Sequence, residues 1–307
     1  MGECNEFGYD RTALHLVLGF NFSYYAHILP LCAHFHLPDP LFDIYNRCRV
    51  VQKSFEMLPC KYFPTLLDEF KDDVVASIHD ANGNHVMQKI VESLSNKAKV
   101  ALKNGDTTTG NFFRDCIQFI IDDILKNIAP LSCHPYGCRV LQRILEHCVE
   151  PQKSDILDAL LTCHKALLDE QYGNYVIQHV LQYGRVQDRQ SLLGIIVAGG
   201  ILTLSRQKFA SNVVEKLLKY GNQEQRAGVV RAMLQTVHDD SIPSVSPGGT
   251  PIVILMVRDA YANYVVQTAI DVSVDPERRE LLNVLNANVM MLRQYTFAKH
   301  IVAKLGS

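Results

Sequence analysis

One short phrase returns along the chain, and its spacing limits the possible folds more than any other feature. It reads Gly83-Asn84-His85-Val86-Met87-Gln88-Lys89, then Gly137-Cys138-Arg139-Val140-Leu141-Gln142-Arg143, then Gly173-Asn174-Tyr175-Val176-Ile177-Gln178-His179. It returns as Ala210-Ser211-Asn212-Val213-Val214-Glu215-Lys216 and Ala262-Asn263-Tyr264-Val265-Val266-Gln267-Thr268, and an earlier copy reads Cys48-Arg49-Val50-Val51-Gln52-Lys53. Counted from Cys48, Asn84, Cys138, Asn174, Ser211 and Asn263, successive copies lie 36, 54, 36, 37 and 52 residues apart. A fixed period of this length is the signature of stacked structural repeats. The two long intervals exceed the period by 15 to 18 residues, and the excess falls in segments with loop composition. One, about 97–115, holds Lys103-Asn104-Gly105-Asp106 and a threonine run; the other, about 238–251, holds three prolines and a glycine pair. Both are expected to be loop insertions in one array spanning 41–307, behind a divergent 1–40 segment.

Within the period the apolar residues follow helical spacing. In 154–168 they fall at 156, 157, 160, 161, 167 and 168, one face of a helix, with Pro151 and Ser154 as start signals. A second helix, about 172–181, carries the phrase, and the pair recurs as 187–204 and 210–220. The expected fold class is all-α, a helical-repeat solenoid of about six recognisable repeats in which each repeat covers its neighbour's apolar face.

Composition narrows the function. Apolar residues make up 48% of the 307 and charged residues 20%, a balance that supports a substantial core and excludes collagen-like or wholly disordered classes. The net charge of −2 gives no global attraction to nucleic acid or anionic membrane, so a nucleic-acid site has to rely on a local stripe. Nine scattered cysteines without a C-x-x-C pair argue against a disulfide framework or zinc ribbon and fit a reducing compartment. Glu3, Glu6 and Asp10 stand where a signal peptide needs positive charge, and Glu6 also breaks the acylation pattern that Gly2 and Cys4 suggest. The apolar stretch 13–37 holds His15, Asn21, His27, Pro30, His34 and His36, too polar for a lipid-spanning helix, and is expected to form a buried, irregular helical region. Cys32, His34 and His36 lack a fourth ligand nearby, as do His134, His147 and Cys148, so neither metal nor cofactor is expected. No nucleophile elbow or phosphate-cradling glycine loop is present, which points away from an enzyme.

The phrase itself carries chemistry. Its third and fourth positions are apolar in all six copies, while the first (Cys48, Asn84, Cys138, Asn174, Ser211, Asn263) and fifth (Gln52, Gln88, Gln142, Gln178, Glu215, Gln267) are hydrogen-bonding. At 100° per residue these two share a face, one turn apart, and are expected to be exposed. The second position, beside them, is Arg49, His85, Arg139, Tyr175, Asn212 and Tyr264, mostly flat groups. The sixth is Lys53, Lys89, Arg143, His179, Lys216 and Thr268, four of them firmly basic. A surface that repeats a polar pair, a planar group and a cation suits a single-stranded nucleic acid. Planar groups stack on bases, the pair meets a base edge, and Lys53, Lys89, Arg143 and Lys216 follow the phosphates. Ionised Glu215 is acceptor-only and suits the two donors on guanine's edge; Asn with Gln offers donors and acceptors, as uracil requires. A protein-binding array of the armadillo or HEAT kind is the rival reading, although such arrays have no reason to keep this phrase.

From about residue 41 onward the chain resembles the Pumilio (PUF) family of RNA-binding repeat proteins, and His134-Pro135-Tyr136-Gly137-Cys138-Arg139-Val140 is very close to that family's sequence. The resemblance implies a curved right-handed solenoid that binds mRNA antiparallel to the chain on its concave face, one base per repeat. By the family's pattern, Cys with Gln reads A. From the C-terminal repeat backwards the pairs then read U, G, U, A, U and A, giving 5′-UGUAUA. The resemblance further implies a cytoplasmic, monomeric protein that binds 3′ untranslated regions and represses translation or hastens decay with deadenylase or translational repressor proteins. Two departures stand out. The family array has eight repeats and six are found here, and Arg47 occupies the place held by glycine or alanine in the other copies. The stretch Phe297-Ala298-Lys299-His300-Ile301-Val302-Ala303 lacks the polar fifth position and reads as a terminal cap.

Overall fold

The computed structural model describes residues 44–237 and 249–305. The 1–40 segment, with its apolar stretch and Cys32, His34 and His36, lies outside the described residues, as does the middle of the 238–251 excursion. The first repeat comprises α1 (Ile44–Met57) and α2 (Phe63–Asp68). The second comprises α3 (Val74–His79) and α4 (Gly83–Lys103), followed by α5 (Thr107–Cys116) and α6 (Gln118–Lys126). The third is α7 (Ile128–Ser132), α8 (Gly137–His147) and α9 (Gln152–Leu167), and the fourth is α10 (Gly173–Tyr183) and α11 (Val186–Ala198). The fifth is α12 (Ile201–Ser205), α13 (Ala210–Tyr220) and α14 (Gln223–Leu234). The sixth is α15 (Ile252–Val257), α16 (Ala262–Val272) and α17 (Glu277–Ala287), and α18 (Val289–Leu292) and α19 (Lys299–Leu305) end the described chain.

Two layers result. The phrase helices α1, α4, α8, α10, α13 and α16 pack side by side in chain order, and α19 completes the row. Helices α6, α9, α11, α14 and α17 form a second row behind them, again in order, with α17 also meeting α19. The core lies between the rows. In α10, Val176, Ile177, Val180 and Leu181 are buried, the i, i+1, i+4, i+5 face that the phrase encodes, and Ile156, Leu157, Leu160, Leu192 and Ile196 of the back row are buried with them. Each such side chain contributes about 1.5 to 3 kcal/mol. Truncating Ile177 to alanine would cost about 2 to 5 kcal/mol. At the end of the row, Ala298 and Ile301 are fully buried, as a cap requires.

The 97–115 segment differs from its expected loop. Residues 97–103 continue α4, and α5 folds back against that extension. The apparent loop signal is only a tight turn. Gly105 sits at φ 81°, and the Asp106 carboxylate caps α5 by accepting the Thr109 N–H at 3.0 Å, so the threonine run is a helix start. Gly110 lies against Leu102, where a Cβ would come within 2.5 Å of its side chain, and Phe113 is buried beneath. The 187–204 helix is also divided, because Gly199 and Gly200 intervene and Gly200 adopts φ 85°. The 236–251 excursion is closed by a two-residue antiparallel pair, Thr236–Val237 with Thr250–Pro251.

Candidate nucleic-acid interface

Each phrase helix starts at a backbone crowded against the turn before it. A Cβ on Gly83 would lie 2.5 Å from the Ser77 carbonyl oxygen, and one on Gly137 would lie 2.4 Å from that of Leu131. The free N–H groups of these starts are satisfied by a side chain four residues before the first phrase position. Asp80 Oδ1 accepts from Asn82 and Gly83 at 2.9 and 2.6 Å, and Asp259 Oδ1 accepts from Tyr261 and Ala262, both at 2.9 Å. Glu170 Oε2 accepts from Tyr172 and Gly173. In α8 the acceptor is an imidazole, His134 Nδ1, which takes the Tyr136 and Gly137 N–H groups at 3.2 Å. Burial first, and then His79 stacked at 4.2 Å, hold the His134 pKa below its usual value, so the ring stays neutral and able to accept. In α13 the equivalent Gln207 does not serve; Asp169 of the preceding repeat accepts from Phe209 and Ala210 instead.

This geometry fixes the base-facing groups. The first phrase position is not on the surface as its pattern suggests: Cys48, Asn84, Cys138, Asn174, Ser211 and Asn263 are all at most 4% exposed. The asparagines tolerate burial because their amides are satisfied. Asn174 Nδ2 donates to the carbonyls of Glu170 and Gln171 at 2.8 and 2.9 Å, and Asn174 Oδ1 accepts from Gln178 Nε2 at 2.9 Å. Asn84 with Gln88 and Asn263 with Gln267 repeat the same three bonds. Each asparagine therefore anchors a half-buried glutamine in one orientation, with Oε1 and the second amide N–H left to face outward. One acceptor beside one donor is a fragment of the complement to uracil.

The other pairs differ in chemistry. In α8 the Cys138 thiol lies 3.5 Å from the Pro135 carbonyl, and burial pushes its pKa up to about 11; Cys48 is raised to about 11 by burial and then by Asp80. Neutral thiols place an apolar surface beside Gln142 and Gln52. In α13, Ser211 Oγ donates to the Lys208 carbonyl at 3.3 Å, so toward a ligand it can only accept. With ionised Glu215 above it, the pair presents acceptors alone.

The second position is exposed in every copy: Arg49, His85, Arg139, Tyr175, Asn212 and Tyr264 project from the row, the tyrosines at 51% and 56%. The cations of the sixth position lie one turn further along and carry partners. Glu56 accepts from Lys53 and Lys89 at 2.7 and 2.6 Å, Arg143 meets Glu146 at 2.9 Å, and Lys216 sits over Tyr220. The bonds from Lys53 and then Lys89 hold the Glu56 carboxyl down at about 2, and Glu56 in turn raises Lys89. His179 donates to the Tyr175 carbonyl, and Thr268 is buried. Such exposed ion pairs are weak enough to exchange for phosphates.

The Pumilio-family RNA binding repeat matches residues 48–70, 79–102, 127–161, 170–197, 200–234 and 253–285, more than half of the chain and every phrase. The chain belongs to the Pumilio family. A Pumilio domain-containing protein of Schizosaccharomyces pombe is 26% identical over 84% of this chain and 33% of its own length. Pumilio homology domain family member 4 of Saccharomyces cerevisiae is 31% identical over 68% of this chain and 20% of its own. The chain thus spans a third or less of these two relatives. Among solved structures, the Puf3 RNA binding domain bound to a Cox17 RNA 3′ UTR recognition sequence superposes with a TM-score of 0.73 at 28% identity, covering 92% of this chain and 75% of that one. PUF-8 in complex with PBE-RNA gives 0.64 at 29% identity, covering 97% and 86%. The Pumilio repeat boundaries coincide with the helix sets described above, including the irregular copy that begins at Cys48.

Proposed function

We propose that this Pumilio-family chain binds single-stranded RNA, reading 5′-UGUAUA-like elements with one phrase per base, and acts without catalysis. The observation that carries the reading is the thrice-repeated anchored pair, Asn84/Gln88, Asn174/Gln178 and Asn263/Gln267, each presenting the same outward donor and acceptor. In this reading uracils lie against those three glutamines, guanine against Ser211 and Glu215, and adenines against Cys138/Gln142 and Cys48/Gln52. The exposed second positions stack between bases. Lys53, Lys89, Arg143 and Lys216 exchange their present partners for phosphates. Relatives whose structures hold 3′ UTR sequences support 3′ untranslated regions as targets. The proposal extends to cytoplasmic repression or decay of the bound mRNA through deadenylase or translational repressor proteins, by a chain acting as a monomer. Filter binding of a UGUAUA RNA and a scrambled control tests the reading: preference for the first is expected, and equal affinity would favour a protein-binding scaffold instead. Reporter mRNAs with and without the element test repression, and equal output on expression of the protein would remove it.

A further inference from the structure

Thr268 is the exception in the sixth-position row, a small hydroxyl where five copies carry Lys53, Lys89, Arg143, His179 and Lys216. A helical threonine commonly returns its hydroxyl to its own preceding turn. Thr268 does not. It lies in α16, only 7% exposed, and its Oγ1 donates across the repeat boundary to Glu215 Oε2 of α13 at 3.1 Å. Among the described residues the other donor on that carboxylate is Lys219 Nζ, at 3.4 Å to the same oxygen, from an exposed side chain able to swing away. Oε1 takes neither bond. A glutamate reaching out from a helix has several rotamers of similar energy, and ordering it on binding opposes affinity. Thr268 supplies a fixed point that selects one rotamer before any ligand arrives.

We propose that Thr268 is a specificity-determining positioning residue, which orients the Glu215 carboxylate so that Oε1 meets the donor edge of guanine. The inference rests on the reading of Ser211 and Glu215 as the guanine site. It makes neighbouring repeats interdependent, because the helix that reads the first base sets the sharpness with which the second is read. A hydroxyl suits this role better than an ammonium, since it orients the carboxylate and leaves its charge intact for the base.

The test is competition binding with 5′-UGUAUA and 5′-UAUAUA RNAs. Wild type, Thr268→Val, Thr268→Ser, Glu215→Gln and the Thr268→Val/Glu215→Gln double variant are compared, with thermal melts to establish that each folds. Thr268→Val is nearly isosteric; Thr268→Ala serves if the valine variant does not fold. The preference of wild type for G is expected to fall about tenfold in Thr268→Val, the scale of one hydrogen bond to a charged group. It should return in Thr268→Ser, and the threonine should make no difference once Glu215 is glutamine. A purely structural role would instead weaken both RNAs alike, and that result overturns the inference. So does an unchanged G preference in Thr268→Val when wild type prefers G. A wild type without preference for G overturns the guanine reading itself, and the inference with it.

Discussion

The base preference of one repeat can be rewritten, and the structure sets what the rewriting costs. Changing Ser211→Asn and Glu215→Gln copies the Asn174/Gln178 pair into α13. Asn174 makes three hydrogen bonds between 2.8 and 2.9 Å, whereas Ser211 makes one at 3.3 Å. At about 1 kcal/mol net per bond, the new amides gain about 2 kcal/mol. The slot is buried, however, with Ser211 only 4% exposed, and asparagine adds two heavy atoms; overpacking of this kind costs about 1 to 3 kcal/mol. The two effects nearly cancel, so stability should move by no more than about 2 kcal/mol, and the melting temperature by a few degrees. Base preference should move further relative to its baseline. The pair exchanges an acceptor-only edge for a donor and an acceptor, and the second base should change from G to U, by about 1 to 3 kcal/mol if it resembles a good bidentate contact in DNA readout. Competition between 5′-UGUAUA and 5′-UUUAUA RNAs reads the switch directly. A double variant that melts within a few degrees of wild type and still prefers G would refute the assignment of the reader.

Other consequences follow from the geometry of the site. His134 is held neutral in the folded protein, its pKa depressed by burial and His79, so the stability it contributes is complete above the unfolded value near 6.5 and is lost as pH falls through the lower folded value. His147 and His179, also depressed by burial, add the same sign. The melting temperature should therefore drop from pH 7 to pH 5, and His134→Asp, which installs the acceptor used at Asp80 and Asp259, should make that drop shallower; an equal slope in both proteins would refute the capping role. Gly137→Ala should destabilise by about 1 to 3 kcal/mol, because its Cβ meets the Leu131 carbonyl oxygen and Cα at 2.4 and 3.0 Å, and an unchanged thermal melt would contradict that approach. Glu56→Gln releases Lys53 and Lys89 for phosphates, so the salt dependence of RNA affinity should steepen by about 0.7 in log–log slope for each phosphate newly neutralised. An unchanged slope would mean these cations do not reach the backbone.

Most of the row of phrase helices is legible in the sequence, since two apolar positions and a fixed period define both the helix and the face it buries. Depth is not. Helical geometry places Asn174 and Gln178 on one face but does not say that the first lies beneath the second; that depends on backbone carbonyls of the turn before α10 being free to accept the amide. The caps are hidden for a different reason. Asp80, His134, Glu170 and Asp259 share a position and a role but not a residue type, and Asp169 performs the role from another repeat. Lys103-Asn104-Gly105-Asp106 reads as a loop because a tight turn followed by a capped helix has the same composition as one. Thr268 reads as a lapse in a basic series, and its partner lies 53 residues away, beyond any local pattern.

The hairpin formed by the α4 extension and α5 bears on how such a protein can change. In a written message, inserting characters between two letters shifts everything downstream. Here the added residues fold back on α4, and α4 still packs directly on α8, so the alphabet continues at its next letter without displacement. The second excursion is pinched shut at its base by the 236–251 pairing and leaves α13 against α16 in the same way. Message and margin are physically separate. New surface can be written in the margin, repeat by repeat, while the order of the bases that the chain would read stays as it was.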